Sequence, residues 1–144
     1  MAPRRSEPSS HGHWLKTLGG QGRPLPAEWI AGAPERLTVT WFPRRPRMAR
    51  GDRLVYYAAG WQCIFAAGEV ASDGPLPEGS PTNPTRWPWS VRVQLYLCVP
   101  DLTFAPPLDA IGVPARSLSQ HSHIRITAEH YRRAVEALAH AARP

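Results

Sequence analysis

The sequence is poor in lysine, cysteine and long apolar runs. Lys16 is its only lysine, and Cys63 and Cys98 are its only cysteines in 144 residues. Both cysteines lie within apolar, strand-like segments, where a thiol behaves as a small hydrophobic side chain. No apolar run approaches the roughly 18 residues that a membrane span requires, and the charged start is not followed by the apolar stretch of a secretory signal. These absences argue against a disulfide scaffold and a membrane partner, and they predict a reduced, cytoplasmic location.

Acidic residues are also scarce. The chain has 11 acidic and 17 basic residues, which gives a net charge of +6 and a pI of about 10.1. A net positive charge of this size is informative about binding partners but not about the fold. A GC-rich coding sequence explains arginine in place of lysine equally well, but not the clustering of five arginines between Arg44 and Arg53. Because the planar guanidinium binds two phosphate oxygens at once, the sequence predicts DNA or RNA as the partner.

Apolar patterning predicts one domain over residues 11–144, preceded by a polar, disordered tail at residues 1–10. The clearest feature is a β-hairpin, in which apolar runs at 51–57 and 61–70 are joined by a turn at Ala59-Gly60. Residues 91–99 alternate between apolar and polar side chains, which predicts a further strand. One face of that strand is expected to carry Val91, Val93, Leu95, Leu97 and Val99.

Shorter strands are predicted at residues 13–17, 37–42 and 123–127, and Thr127 is placed to cap a final helix. Strands joined mostly by hairpins, with helices at the periphery, are typical of the α+β class. The predicted architecture is a pseudo-barrel of five to six mostly antiparallel strands, flanked by short helices and a C-terminal helix.

The order of six segments is informative. They are His13–Thr17, Trp41 with the basic residues behind it, Gly51–Tyr57, Ile64–Val70, Arg86–Val93, and His121–Thr127 running into the terminal helix. This order, over roughly residues 12 to 140, resembles the EVE domain, a member of the PUA-like superfamily related to YTH domains. The resemblance implies a PUA-like pseudo-barrel that binds nucleic acid, often through a pocket for a modified base. YTH relatives carry an aromatic wall in the loop after the hairpin, whereas residues 72–84 here contain no aromatic residue.

The predicted base-binding residues are an indole and four polar side chains. Trp41 ends a predicted strand, where its ring either stacks on a base, contributing about 1–3 kcal/mol, or belongs to the core. Thr17 either reads a base edge or makes an ordinary strand-end hydrogen bond. Tyr57 belongs to the pocket wall or to the core. The resemblance implies that His121 and Ser122 close the pocket.

The predicted phosphate ligands are Arg44, Arg45, Arg47 and Arg50. Each phosphate that they neutralise adds about one unit to the salt dependence of binding. The alternative is a solvated basic loop without a ligand. Four further tryptophans are predicted to be mainly core residues: Trp14, Trp61, Trp87 and Trp89.

Three functions compete. The leading hypothesis is a non-catalytic module that reads a modified, methylated base in a partly aromatic pocket. The alternative is an amidohydrolase for modified nucleosides, as some ASCH-type proteins of the same superfamily are, with Lys16, Thr17 and Glu69 as the one available set. The third is a basic face that binds an acidic protein. His121 and His123 share a strand face, but two ligands are too few for zinc, so neither a metal nor another cofactor is predicted.

Overall fold

Six strands form one mixed sheet in a computed structural model that describes residues 11–19, 23–118 and 121–142. The predicted tail at residues 1–10 lies outside the described residues. The strands are β1 (His13–Leu18), β2 (Val39–Phe42), β3 (Arg53–Ala58), β4 (Cys63–Val70), β5 (Trp89–Cys98) and β6 (His123–Ile126). One helix, α1 (Ala128–Ala141), follows β6, and short 3-10 helices occupy Pro34–Leu37, Leu102–Phe104, Leu108–Ile111 and Ala115–Leu118.

The sheet has the order β2-β5-β4-β3-β1-β6, and it curls into a half-barrel. Only the β1–β3 pair is parallel, and the other neighbouring pairs are antiparallel. Its two edge strands meet through side chains, because the rings of Phe42 on β2 and His123 on β6 lie 5.0 Å apart, edge to face. This arrangement confirms the predicted α+β, PUA-like pseudo-barrel.

Two apolar clusters cover the two faces of the curled sheet. Alternate residues of β3 divide between them, since Tyr56 belongs to the inner cluster and its neighbours Val55 and Tyr57 to the outer one. The inner cluster lies within the half-barrel and includes Phe42. The outer cluster packs beneath α1, whose Leu138 is fully buried. Each face therefore has its own core, and the C-terminal helix covers the outer one.

The predicted hairpin is confirmed as β3 and β4, although β4 begins at Cys63 rather than Trp61 because the turn runs through Gln62. The predicted cap is also confirmed, since the Thr127 hydroxyl accepts a 2.9 Å hydrogen bond from the His130 amide. The strand predicted at 37–42 begins only at Val39, because Pro34–Leu37 forms a 3-10 helix. No helix in the described part of the chain is both long and apolar enough to cross a membrane.

The prediction that β5 presents one apolar face throughout is wrong. Val93 and Leu95 pack in the inner cluster, whereas Leu97 and Val99 pack in the outer one. The pairing with β4 shifts at this point, so that consecutive β4 residues pair with Leu95 and Leu97, and Tyr96 is the extra residue. Such a β-bulge reverses the alternation of side chains beyond it.

A buried carboxylate fixes where β1 and β3 begin. Asp52 is 5% exposed. It accepts hydrogen bonds from the Gly12 amide at 2.9 Å, the Trp14 indole at 2.9 Å and the Ala49 amide at 3.1 Å. These three donors come from β1, from the residue before it and from the arginine-containing loop, so one side chain joins all three to β3. Hydrogen bonds to a charged group are among the stronger ones in proteins.

We expect Asp52→Asn to lower the free energy of unfolding by about 2–3 kcal/mol, because an amide hydrogen would face a buried donor in place of an acceptor. Urea denaturation at neutral pH measures this change. Asp73→Asn is the matched control, since Asp73 forms an exposed ion pair with Arg50 and its loss should change stability far less than the loss of the Asp52 carboxylate. Equal effects of the two substitutions would contradict the role given to Asp52.

Candidate functional site

Two adjoining cavities open at the C-terminal end of β1, and we refer to them together as the β1 cleft. The larger has a volume of about 860 Å³ and the smaller about 740 Å³. Four residues line both: Thr17, Gly19, Arg86 and Trp87. Volumes of this size are typical of pockets for small organic ligands. The cleft is therefore large enough for a nucleobase and its sugar.

Trp87 supplies the aromatic wall that the two cavities share. The loop before it is closed by two backbone hydrogen bonds, from Ser80 N–H to the Trp87 carbonyl at 2.9 Å and from Trp87 N–H to the Asn83 carbonyl at 3.0 Å. The Arg86 guanidinium lies 5.6 Å from the centre of the indole. The assignment of Trp87 to the core is therefore wrong, because Pro88 and the loop closure hold it half-buried at the cleft.

Trp41 lies in the wall of the smaller cavity and of a neighbouring apolar cavity of about 310 Å³. Its neighbours Thr40 and Phe42 are buried, so alternation along β2 directs Trp41 to the other side of the strand, where it is half-buried. Trp41 is thus within reach of a ligand in the cleft. That it stacks on a base stays a prediction.

The other four predicted base-binding residues line the larger cavity: Thr17, Tyr57, His121 and Ser122. The Thr17 amide donates a 2.9 Å hydrogen bond to the Ser122 carbonyl, which joins β1 to the segment before β6. The buried Thr17 hydroxyl has no hydrogen-bond partner among the described residues. Tyr57 belongs to both wall and core, because it is 4% exposed and packs in the outer cluster.

The four arginines predicted to bind phosphate do not line the β1 cleft. Arg50 pairs with Asp73 at 2.6 Å, and the Arg45 guanidinium lies 5.5 Å from the Trp89 ring. Phosphate binding by these two and by Arg44 and Arg47 stays a prediction for the surface beyond the cleft. Three arginines outside that loop line the cleft instead: Arg23, Arg86 and Arg116. They are scattered along the sequence, so clustering could not reveal them.

Lys16 is buried in the wall of the smaller cavity, with 2% of its surface exposed. Its Nζ lies 5.0 Å from the centre of the Phe42 ring and 5.7 Å from that of Trp87, and it donates a 3.0 Å hydrogen bond to the Thr17 carbonyl. No carboxylate of the described residues lies within ion-pair distance of this amine. Burial lowers the pKa of Lys16 to about 7, so a large share of its amine is neutral at physiological pH.

His123 faces Lys16 across the β1–β6 pair, and it is also held neutral. Burial, and then the charge of Lys16, lowers the pKa of its imidazole to about 4. The Ser122 hydroxyl lies 2.8 Å from its Nδ1, and the ring packs against Phe42. A lysine in the wall of the cleft and the histidine paired with it on β6 therefore both favour the uncharged form.

The set of Lys16, Thr17 and Glu69 is not brought together. Glu69 pairs with Arg53 in the register of β3 and β4, which places it on the face of the sheet opposite to Lys16. Its carboxylate lies 3.4 Å from the Arg53 guanidinium and accepts a hydrogen bond from the Tyr96 hydroxyl. Within residues 11–19, 23–118 and 121–142, no group of three or more His, Cys, Asp and Glu side chains could hold a metal ion.

Comparisons with known proteins agree with this fold. No family model and no curated protein matches the sequence. A hypothetical protein from Leishmania major is similar, with a TM-score of 0.56 and 12% identity over 95% of this chain and 100% of that one. An ASCH protein from Zymomonas mobilis has a TM-score of 0.53 and 14% identity over 87% and 94%. An Agrobacterium tumefaciens protein has a TM-score of 0.52 and 17% identity over 92% and 96%.

At identities this low, structural similarity shows the fold alone. The activity has to be inferred from the geometry of the candidate site. The neighbours include ASCH domain proteins, which share the PUA-like fold. The fold of this protein is therefore PUA-like, and a cleft lies at the end of β1.

We expect the free energy of unfolding to rise with pH through the titration of Lys16. Between its pKa of about 7 in the folded chain and the ordinary value of 10.5, the unfolded chain binds one more proton, so raising the pH over this window favours the folded state. The rise should be on the order of 4 kcal/mol, and Lys16→Met should abolish it. Because tyrosines also titrate in this window, the measurement is the stability difference between parent and variant at pH 7 and pH 10. The same difference at both values would contradict a buried neutral amine.

Proposed function

We propose that this protein binds a strand of nucleic acid and accepts one of its bases in the β1 cleft. The observation that supports this most is the combination of two half-buried indoles with three arginines in the walls of one cleft. Indole faces stack on bases, and guanidinium groups bind the phosphates on either side. The unpaired hydroxyl of Thr17 supplies a polar group that can read a base edge.

The magnitudes favour a base that is already unstacked, or one that is extruded with help. Removing a base from a duplex costs a few kcal/mol. Stacking on an indole contributes about 1–3 kcal/mol, so contact with both Trp41 and Trp87 offsets most of that cost. Phosphate contacts from Arg23, Arg86 and Arg116 add to it. We therefore propose that single-stranded nucleic acid binds more tightly than duplex.

Reading of a modified base, as in the EVE domains that the sequence resembles, is the finer part of the proposal. A methyl group buried against an aromatic wall gains about 0.8 kcal/mol, so it favours a methylated base by a few-fold. The loop at 72–84 has no aromatic residue, but Trp87, which comes shortly after that loop, supplies an aromatic wall of the cleft. Arg44 and Arg47, which lie outside the cleft, are proposed to contact phosphates further along the strand.

Trp41→Ala should weaken binding of a single-stranded oligonucleotide with a methylated base by about 5- to 150-fold, and it should reduce the preference over the plain base. Fluorescence anisotropy with labelled oligonucleotides measures both. Trp61→Ala is the matched control, because Trp61 is likewise partly exposed but lies outside the cleft. Unchanged affinity in Trp41→Ala would reject the cleft as the binding site. Equal binding of modified and plain bases by the parent protein would reject the reading of a modification.

The same assay at several salt concentrations separates the two groups of arginines. Substituting Arg86 and Arg116 by glutamine should lower the salt slope by about one unit for each phosphate that is no longer neutralised. The variant in which Arg44 and Arg47 are replaced by glutamine loses the same charge. It tests whether the arginine loop contacts phosphate, as the sequence predicts. A binding constant that hardly responds to salt in the parent protein would instead favour an acidic protein as the partner.

A second candidate function is hydrolysis of an acylated base, and the neutral-prone amine of Lys16 in the wall of the cleft supports it. If this chemistry occurs, the purified protein releases acetate from N4-acetylcytidine, and Lys16→Met abolishes the release. Glu69→Gln should leave the rate unchanged, because that carboxylate lies on the other face of the sheet. No acetate release by the parent protein would reject this candidate.

A further inference from the structure

The amine of Lys16 is an unused reactive group in the wall of the cleft. We propose that Lys16 captures nucleotides that carry an aldehyde, through a reversible imine between its Nζ and the aldehyde carbon. This inference rests on the proposed function, since the cleft must first accept the nucleotide. It adds a ligand class, because an aldehyde is recognised by covalent chemistry rather than by stacking alone.

The surroundings of the amine favour this chemistry. Lys16 lines the same cavity as Trp87, and its Nζ lies 5.7 Å from the centre of the Trp87 ring, so a base stacked on Trp87 would lie close to the amine. The only hydrogen bond of Nζ among the described residues goes to the Thr17 carbonyl at 3.0 Å. No carboxylate of the described residues lies within ion-pair distance, so the amine lacks the partner that would most strongly favour its ammonium form. Burial among aromatic rings favours the neutral amine, which is the nucleophilic form.

The step is balanced without an oxidant or another reactant. The nitrogen lone pair of Lys16 attacks the aldehyde carbon, and a proton moves from nitrogen to oxygen to give a carbinolamine. The carbinolamine loses its oxygen with the second amine proton as water, and a C=N bond replaces the C=O bond. Water reverses the reaction and releases the nucleotide.

The aldehyde has two possible sources in nucleic acid, namely a formyl group on a base and the opened sugar of an abasic site. Both present the same reacting group. Holding either one in the cleft raises its effective concentration at the amine, whereas a small free aldehyde gains nothing from the cleft walls. Because Lys16 is the only lysine, a modified lysine-containing peptide identifies the site without ambiguity.

The test is reductive trapping with the full chain. The protein is incubated with single-stranded oligonucleotides that contain 5-formylcytosine, an abasic site or plain cytosine, in the presence of cyanoborohydride, and the products are mapped by peptide mass spectrometry. We expect an adduct on Lys16 with at least one of the two aldehyde oligonucleotides, and the faster one identifies the source. It should form about tenfold or more faster than the adduct with a simple aliphatic aldehyde at equal concentration. An adduct confined to the N-terminal amine, or no adduct, would overturn the inference.

Two variants and a binding assay complete the test. Lys16→Met should form no adduct with either aldehyde oligonucleotide. Trp41→Ala keeps the amine and should slow trapping about in proportion to its lower affinity, so an unchanged trapping rate would overturn capture in the cleft. Binding of the plain oligonucleotide without trapping of either aldehyde would reject this inference and leave the proposed function standing. Absence of both binding and trapping would reject both.

Discussion

Lys16 holds its amine between the rings of Phe42 and Trp87, with no carboxylate beside it among the described residues. Burying an unpaired charge is costly, so the fold favours the neutral amine, and the covalent chemistry proposed for the cleft depends on this. The buried amine lies where the two edges of the half-barrel meet, since Phe42 is on one edge strand and His123, which faces Lys16, is on the other. A polar pair that favours the uncharged form thus lies where the curled sheet closes.

The position of the cleft follows from how β1 is held. Its start is fixed by the Asp52 carboxylate, which binds the amide of Gly12 and the indole of Trp14. Its body pairs with β3 on one side and β6 on the other, so its register is determined along its length. Its last two residues, Thr17 and Leu18, extend beyond the pairing with β6 but still pair with β3, and Gly19, whose φ is +74°, then turns the chain away. Residues at this end are held rigidly from one side and meet the cleft on the other, which suits a binding site.

Much of the architecture was predictable from local sequence, because the hairpin, the Thr127 cap and most strands depend on nearby residues. Features that depend on register were not. The bulge at Tyr96 moves Leu97 to the outer core although the apolar alternation in the sequence continues unbroken. Glu69 is opposite to Lys16 only because of how β1, β3 and β4 pair.

The candidate site was predicted only in part, because some of its residues also depend on long-range contacts. The five predicted base-binding residues line the cleft, because the segments named in the sequence analysis bring the ends of their strands together. The arginine loop was conspicuous in the sequence but lies elsewhere, whereas Arg86 and Trp87 reach the cleft through the closure of a proline-rich loop. Long-range closure of that kind leaves no periodic signal in the sequence.

The most direct test is the titration of the single lysine by NMR, using protein labelled with 13C at the lysine Cε. The spectrum then contains one Cε resonance, which needs no assignment. We expect the amine to titrate near neutral pH rather than near its ordinary pKa of 10.5, and we expect the resonance to shift when a single-stranded oligonucleotide is added. A titration near 10.5 together with a resonance that does not respond to the oligonucleotide would contradict a buried neutral amine in the wall of a base-binding cleft.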